Sequence, residues 1–254
     1  MRKVEQQSTL AEQRGANGPS PIAPSQHGER EASAALGGTS LRRDEQGLAL
    51  VGDGMVLRGD FSQLLPRIRK GRLASELLVR ATKVRGCTEP WAIDATAGLG
   101  EDSFLLAAAG FRVSMYESDP TVAALVRDAI TRAQADPELA DIARRMELFE
   151  EDSIEAMTHL GDTPDVIYLD PMFPERRKSA AVKKKFQLIH HLEAPCQNEG
   201  ALLAAAISAC PRKVVVKRPA KGPHLAGVKP SHSLAGKAVR YDVIIPASIK
   251  VPLA

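Results

Sequence analysis

The sequence is most informative first for what it has little of. It has three cysteines, Cys87, Cys196 and Cys210, an odd number without CxxC or Cys/His ligand spacing. That argues against a disulfide framework and a zinc site, and for reduced, buried thiols of a cytosolic protein that holds no metal. No window approaches the roughly 18 consecutive apolar residues of a membrane span; the most apolar, 201–210, is a short alanine-rich stretch. The opening MRKVEQQSTL has positive charge but no apolar core behind it, which excludes a secretory signal. A large charge excess is missing too: the formal net charge is +3 and the pI about 8.8, values that permit a nucleic-acid partner without demanding one. Where the charges sit matters more than their sum. The expectation is a cytoplasmic protein with no membrane segment; monomer and weak dimer fit equally.

The length of 254 residues suits one substantial α/β domain with a small appendage. Residues 1–45 are rich in Gln, Ser, Gly, Pro, Glu and Arg, with too few large apolar side chains to offset the entropy of ordering, so a disordered tail is expected there. Residues 46–86 form a small N-terminal region. In it, LALVGDGMVLRGDF alternates apolar residues around the turn signal Gly52-Asp53-Gly54 and predicts a hairpin. The spacing of Leu64, Leu65, Ile68, Leu73, Leu77, Leu78 and Ala81 predicts a helix over 62–84.

From residue 87 strand and helix alternate. Strands are expected at 91–96, 112–117, 146–151, 166–170 and 213–217, and helices at 102–109, 120–135, 153–160 and within 180–209. Such alternation specifies a mostly parallel sheet covered by helices on both faces. The end differs: PSHSLAGKAVRYDVIIPA reads as two short strands around Ala235-Gly236-Lys237, an antiparallel edge.

The first of these strands runs into Asp94-Ala95-Thr96-Ala97-Gly98-Leu99-Gly100, an acid followed by a turn of small residues that lets backbone approach a ligand. About twenty residues on, the next strand ends in Glu117, where a doubly wound fold holds a ribose diol. The turn keeps Gly98 and Gly100 but lacks the G-x-G-x-x-G register that seats a pyrophosphate. Asp94 would repel a pyrophosphate and suits a ligand bearing an ammonium and a sulfonium, so S-adenosylmethionine is favoured over a nicotinamide cofactor. Glu117 also fits as a solvated strand-end acid, and Asp102 as an acid favoured by a helix N-terminus. Asp152 and Ser153, after the third strand, are placed equally well for an adenine contact and for helix capping.

The fourth strand ends in Tyr168-Leu169-Asp170-Pro171-Met172-Phe173-Pro174. A base amine is a poor nucleophile because its lone pair is delocalised into the ring. Methylating it requires acceptors that draw the N–H groups out of plane and aim the lone pair at the sulfonium methyl. Asp170 offers a carboxylate acceptor, Pro171 a backbone carbonyl and Phe173 a face for stacking the base. A strand end, a proline turn and a core-filling Phe173 is the alternative. Basic runs follow at Arg176, Arg177 and Lys178 and at Lys183, Lys184 and Lys185. With Lys217 and Arg218 at the fifth strand end, and Arg67, Arg69, Lys70 and Arg72 earlier, they would grip RNA phosphates, unless they are solvated surface.

The stretches DATAGLGEDSF (94–104), YESDP (116–120), VIYLDPMFPERRKSAAVKKK (166–185), VVVKRP (214–219) and RYDV (240–243) resemble the small-subunit ribosomal RNA methyltransferase J family. The resemblance implies a class I methyltransferase fold, Rossmann-like, with a seven-stranded mostly parallel sheet and a small N-terminal extension. It also implies methyl transfer from S-adenosylmethionine to the N2 amine of a guanine near the 3′ end of 16S rRNA, on the RNA or the small ribosomal subunit. The family's cofactor positions fall on Glu101, Asp102, Glu117, Ser118, Asp152, Ser153 and Asp170; Glu101 and Ser118 stand where basic residues are frequent. The competing readings are an adenine or DNA amino-methyltransferase, a nicotinamide-dependent oxidoreductase, and a non-catalytic RNA-binding protein with a decayed site.

Overall fold

The structure, a computed structural model, describes residues 39–52, 54–172 and 198–248. Two sheets are present among them. The smaller is antiparallel: β1 (Ser40–Asp44), β2 (Gly47–Gly52) and β3 (Met55–Leu57), in that order. The predicted hairpin around residue 53 is the β2–β3 pair. Residues 40–44, expected in the tail, instead form β1, paired along its length with β2. Backbone pairing and the Arg43 side chain hold this edge strand, with Leu41 its one apolar residue packed on the cluster behind it, which is why composition missed it. The rest of the tail, 1–38, lies outside the described residues.

The larger sheet comprises β4 (Trp91–Asp94), β5 (Arg112–Tyr116), β6 (Met146–Phe149), β7 (Val166–Leu169), β8 (Lys213–Pro219), β9 (His232–Ala235) and β10 (Val239–Ile244). Its order is β6-β5-β4-β7-β8-β10-β9. The pairs from β6 to β8 are parallel, and β10 runs antiparallel to both β8 and β9. The predicted mostly parallel sheet with an antiparallel edge is the sheet observed.

Alternate residues along a strand face opposite ways, and the apolar strands divide accordingly. Ala92, Val113, Met115, Tyr168 and Val215 face one core layer, which holds Phe104 and Phe111. Ile93, Ile167, Leu169, Val214 and Val216 face the other, which holds Leu202, Leu203 and Ala206. A sheet buried on both faces demands runs of apolar residues rather than strict alternation, and WAID, VIYL and VVV are such runs.

The helices are α1 (Leu65–Ile68), α2 (Leu77–Thr82), α3 (Glu101–Ala108), α4 (Pro120–Ala135), α5 (Ala140–Ala143), α6 (Ser153–Thr158) and α7 (Glu199–Ser208). The start of α4 is encoded locally: the Asp119 carboxylate accepts from the N–H groups of Thr121 and Val122 at 2.8 and 2.9 Å, and Pro120 fills the first helical position. Of the helical expectation over 180–209, α7 is the described part.

The single helix expected over 62–84 is not formed. The segment is broken into a 3-10 turn (Phe61–Leu64), α1, a second 3-10 turn (Leu73–Ser75) and α2. Arg69 leaves the helical region at φ −55°, ψ 148°, Gly71 has φ +86°, and Glu76 is again extended. The apolar spacing was nonetheless informative, because Leu64, Leu78 and Ala81 are buried through these separate turns.

The small sheet docks on α4. Leu50 and Leu57 pack against Leu125. Beside them the buried Asp128 carboxylate accepts from Arg43 Nη1 at 2.6 Å, Arg132 Nε at 2.8 Å and the Leu48 N–H at 3.0 Å.

Candidate active site

The parallel strands end along one edge, and their last residues and following turns surround a cleft. Its described lining comprises Asp94, the turn 96–99, Glu101, Asp102, Tyr168, Asp170, Met172 and Lys217. The turn after β4 is held from below by two acids. Asp94 is buried, with Oδ1 accepting the Thr96 N–H at 3.1 Å and Oδ2 the Ser103 hydroxyl at 2.5 Å. Burial pushes its carboxyl up to about 7, against the pull of those two donors. Glu117, also buried, accepts the Gly98 N–H at 3.1 Å and the Asp119 N–H at 2.8 Å; burial raises its carboxyl as well. The turn closes at Gly100, whose φ of +77° suits glycine. A Cβ there would stand 2.9 Å from Met115 and 3.3 Å from the Phe61 ring.

The opposite wall is an ionic cluster. Lys217 Nζ donates to Asp102 Oδ2 and to Asp170 Oδ2, both at 2.8 Å, and the Tyr168 hydroxyl donates to Asp102 Oδ2 at 2.6 Å. The Asp170 N–H donates to the Thr96 hydroxyl at 2.7 Å, tying the turn after β7 to the turn after β4. Burial pushes the Asp170 carboxyl upward, Lys217 pulls it back and Asp102 adds to the rise. Burial works against the Lys217 charge, but the two carboxylates outweigh it and hold the ammonium protonated well above its usual range. Burial, then Asp102, keep the Tyr168 phenol neutral.

The described lining carries four carboxyl groups, Asp94, Glu101, Asp102 and Asp170, against the single ammonium of Lys217. That donor set suits a ligand with positive charge next to hydrogen-bonding groups and disfavours a pyrophosphate. The ammonium and sulfonium of S-adenosylmethionine fit it, and the backbone of the small-residue turn 96–99 leaves room for close approach.

The residues singled out in the sequence fall into three groups. Asp94, Gly98, Glu101, Asp102 and Asp170 meet at the cleft; Gly100 and Glu117 shape its turn, and Pro171 directly follows Asp170. Ser118, Asp152 and Ser153 follow β5 and β6 on the same edge. Asp152 caps α6, accepting from Ile154 at 2.7 Å and Glu155 at 3.3 Å, so the capping alternative has a geometric basis. Phe173, Arg176, Arg177, Lys178, Lys183 and Lys184 lie outside the described residues.

Two expectations about RNA contacts are corrected. Arg218 is 1 % exposed, with Nη1 on Glu199 Oε1 at 2.9 Å and Nε on the Pro223 carbonyl at 3.1 Å, so it braces α7 and the loop after β8 instead of facing RNA. Lys217 points into the cleft, with two carboxylates on its ammonium, rather than onto an outer basic patch. Tyr168 and Thr96 were not singled out. Tyr168 was findable, because a residue two before Asp170 on a strand shares its face. The partnership of Lys217 with Asp170 was not: it follows from the β7–β8 register, in which Leu169 faces Val216.

Among the described residues no helix is long and apolar enough to cross a membrane. A family model of putative S-adenosylmethionine-dependent methyltransferases matches residues 39–246. The chain is 43 % identical over 206 residues to the ribosomal RNA small subunit methyltransferase J of Neisseria meningitidis serogroup C, covering 80 % of this chain and 82 % of that one. Against the protein of the same name from Stutzerimonas stutzeri it is 46 % identical over 171 residues, covering 67 % and 66 %. The crystal structure of an S-adenosylmethionine-dependent methyltransferase from Neisseria gonorrhoeae superposes with a TM-score of 0.68 at 35 % identity, over 84 % of this chain and 85 % of that one. With a seven-stranded, mostly parallel sheet and an acid-lined cleft at its carboxyl edge, the chain belongs to the ribosomal RNA small subunit methyltransferase J family of S-adenosylmethionine-dependent methyltransferases.

Proposed function

We propose that the chain methylates the N2 amine of a guanine in 16S rRNA, with Asp170, Pro171 and Phe173 handling the base and the turn 94–102, together with Glu117, Ser118, Asp152 and Ser153, holding the cofactor. The observation that carries this reading is Asp170 at the cleft wall, on the chain segment that continues into Pro171. S-adenosylmethionine supplies an electrophilic methyl on its sulfonium. The protein's task is to present the amine. An ionised Asp170 accepts one amine N–H and the Pro171 carbonyl the other, which frees the nitrogen lone pair from the ring. Lys217 favours the ionised form of Asp170 against the rise that burial imposes and, at 2.8 Å, fixes its orientation. Phe173 stacks the base, and the surplus proton leaves the nitrogen for solvent or Asp170. A dedicated strong base is unnecessary.

The acid-lined cleft and the family membership set aside the nicotinamide reading. The names of the relatives support small-subunit ribosomal RNA as the substrate; a guanine rather than an adenine is supported by the family resemblance of the YLDPMFP stretch. Work on the small ribosomal subunit would place the protein in the cytoplasm, with residues 46–86 as an appendage to a methyltransferase domain over 87–254.

The test is transfer of labelled methyl from S-adenosylmethionine to small subunits, or to their deproteinised RNA, lacking the modification. Asp170→Ala runs in parallel, and the product nucleoside is identified by mass. N2-methylguanosine made by the unaltered protein and lost in the variant is expected. A methylated adenine, or no product on either RNA form, would overturn the substrate assignment.

A further inference from the structure

The segment that leaves α1 makes a tight basic turn whose base lies within electrostatic reach of the cleft acid Asp102, and the assigned site does not use it. The Arg72 N–H donates to the Arg69 carbonyl at 2.9 Å. Gly71, third in the turn with φ +86°, supplies the positive angle that a type II turn needs there. Arg69, Lys70 and Arg72 are all exposed to solvent. Among the described residues none of the three is within ion-pair distance of a carboxylate.

The turn is braced at its base. Arg67 Nε and Nη2 donate to Glu76 Oε1 and Oε2, both at 2.9 Å, a two-pronged pair that joins the chain entering the turn to the chain leaving it. The Ser75 hydroxyl donates to the Arg72 carbonyl at 2.6 Å. The pair with Arg67 neutralises the only acid between residues 61 and 84, so three positive charges project from a closed loop.

The base of the turn also lies within electrostatic reach of the cleft: the charge of Asp102 acts on both Arg67 and Glu76. At the start of the same segment the Phe61 ring stacks on Phe104 of α3, with centroids 4.9 Å apart and planes 12° apart. The cleft wall itself carries four carboxyl groups, so a polyanion presenting a base to it needs cations outside that wall to hold its phosphates.

We infer that the turn 69–72 is a docking point for the phosphodiester backbone of the RNA whose base enters the cleft. The inference rests on the proposed RNA substrate. Arginine forks match phosphate oxygens and read no sequence, so the turn would set the position and register of the RNA while the cleft selects the base.

The experiment measures binding of deproteinised small-subunit rRNA to the full chain across a salt series, together with methyl transfer. It compares the unaltered protein with the triple variant R69Q/K70Q/R72Q and with the charge-conserving R69K/R72K. Every phosphate left without its cation takes about 0.7–0.9 from the slope of log affinity against log salt, so the triple variant should lower the slope by about two to three. Its KM for RNA should rise at least tenfold, with kcat at saturating RNA and S-adenosylmethionine affinity unchanged. R69K/R72K should keep the slope.

An unaltered slope in the triple variant overturns the inference, as does a KM that rises for assembled subunits alone, which would mark a protein contact. Failure of the unaltered protein to methylate any rRNA would sink the proposed function instead. The binding slopes would still decide the turn.

Discussion

Lys217 stands between two carboxylates that would otherwise repel each other. Its bonds to Asp102 and Asp170, at 2.8 Å each, oppose the rise that burial imposes on Asp170. The same carboxyl is within electrostatic reach of Asp102 on α3, Asp94 on β4, Tyr168 on its own strand, Tyr241 on β10 and, from the other face of β8, Arg218. Removing the ammonium by Lys217→Met leaves burial and Asp102 in control, so the Asp170 carboxyl rises further. Where ionised Asp170 is required, the acid limb of the kcat/KM profile moves to higher pH in Lys217→Met and stays in place in Lys217→Arg. A pH–rate series checks this, and an unmoved limb would assign it to another group.

Asp94 gives a second prediction at this scale. Its carboxyl is pushed from 3.8 to about 7 by burial, so the folded state favours the protonated form. The stability it contributes is full below about pH 4 and is lost as pH rises toward 7. Asp94→Asn cannot ionise. Between pH 4 and 8 the variant should therefore keep stability that the unaltered protein loses, on the order of a few kcal/mol, read from denaturant midpoints at each pH.

At the scale of elements, Asp128 is the latch between the small sheet and α4. It accepts from two arginines and a backbone N–H, and these donors, against the cost of burial, hold its carboxyl below the usual range. Asp128→Ala leaves two arginines and the Leu48 N–H without their acceptor. Arg43 is 65 % exposed, so screening reduces the loss to about 2 kcal/mol. Because the folded value is depressed, the contribution is present above about pH 4 and fades as pH falls through it. Denaturation curves at pH 7 and pH 3 check both statements, with faster proteolysis expected within residues 39–58.

The RYDV stretch, matched in the sequence to the family without a role, is an element of the same kind. Arg240 pairs with Asp242 through the Nε and Nη2 edge of its guanidinium and donates to the carbonyls of Pro219, Ala220, Gly222 and Pro223. It fixes the loop that follows β8, the strand carrying Lys217. The planar fork makes these bonds in a geometry a lysine cannot copy.

At the scale of the molecule, the order β6-β5-β4-β7-β8 puts the ends of the parallel strands on one edge, which is where open α/β sheets bind ligands. A ligand that binds only the folded chain stabilises it by mass action. S-adenosylmethionine at a hundred times its Kd should add about 2.7 kcal/mol. For a domain of this size that raises the Tm by roughly 5–10 °C. Thermal scans should show the shift with S-adenosylmethionine and none with NAD(H). A shift with NAD(H) alone would contradict an acid-lined site for a cationic ligand.

Much of this was legible one segment at a time. Apolar runs bounded by turns marked the strands, Asp119-Pro120 marked the start of α4, and DATAGLG with YLDP located two walls of the cleft, because hydrophobic period, capping and turn chemistry act within a few residues. The helix over 62–84 was misread because its apolar spacing is satisfied equally by short turns, and only packing on α3 and the large sheet selects them. Strand β1 escaped because it is polar and its partner, not its composition, stabilises it. The sequence by itself determined the α/β class, the parallel sheet with its antiparallel edge, and the acids that follow the strands. Tertiary structure alone decided that Lys217 serves the cleft while Arg218, its neighbour, is buried. Side chains at adjacent positions of a strand point to opposite faces, and which carboxylate each meets depends on strand register and helix packing between residues far apart in the chain.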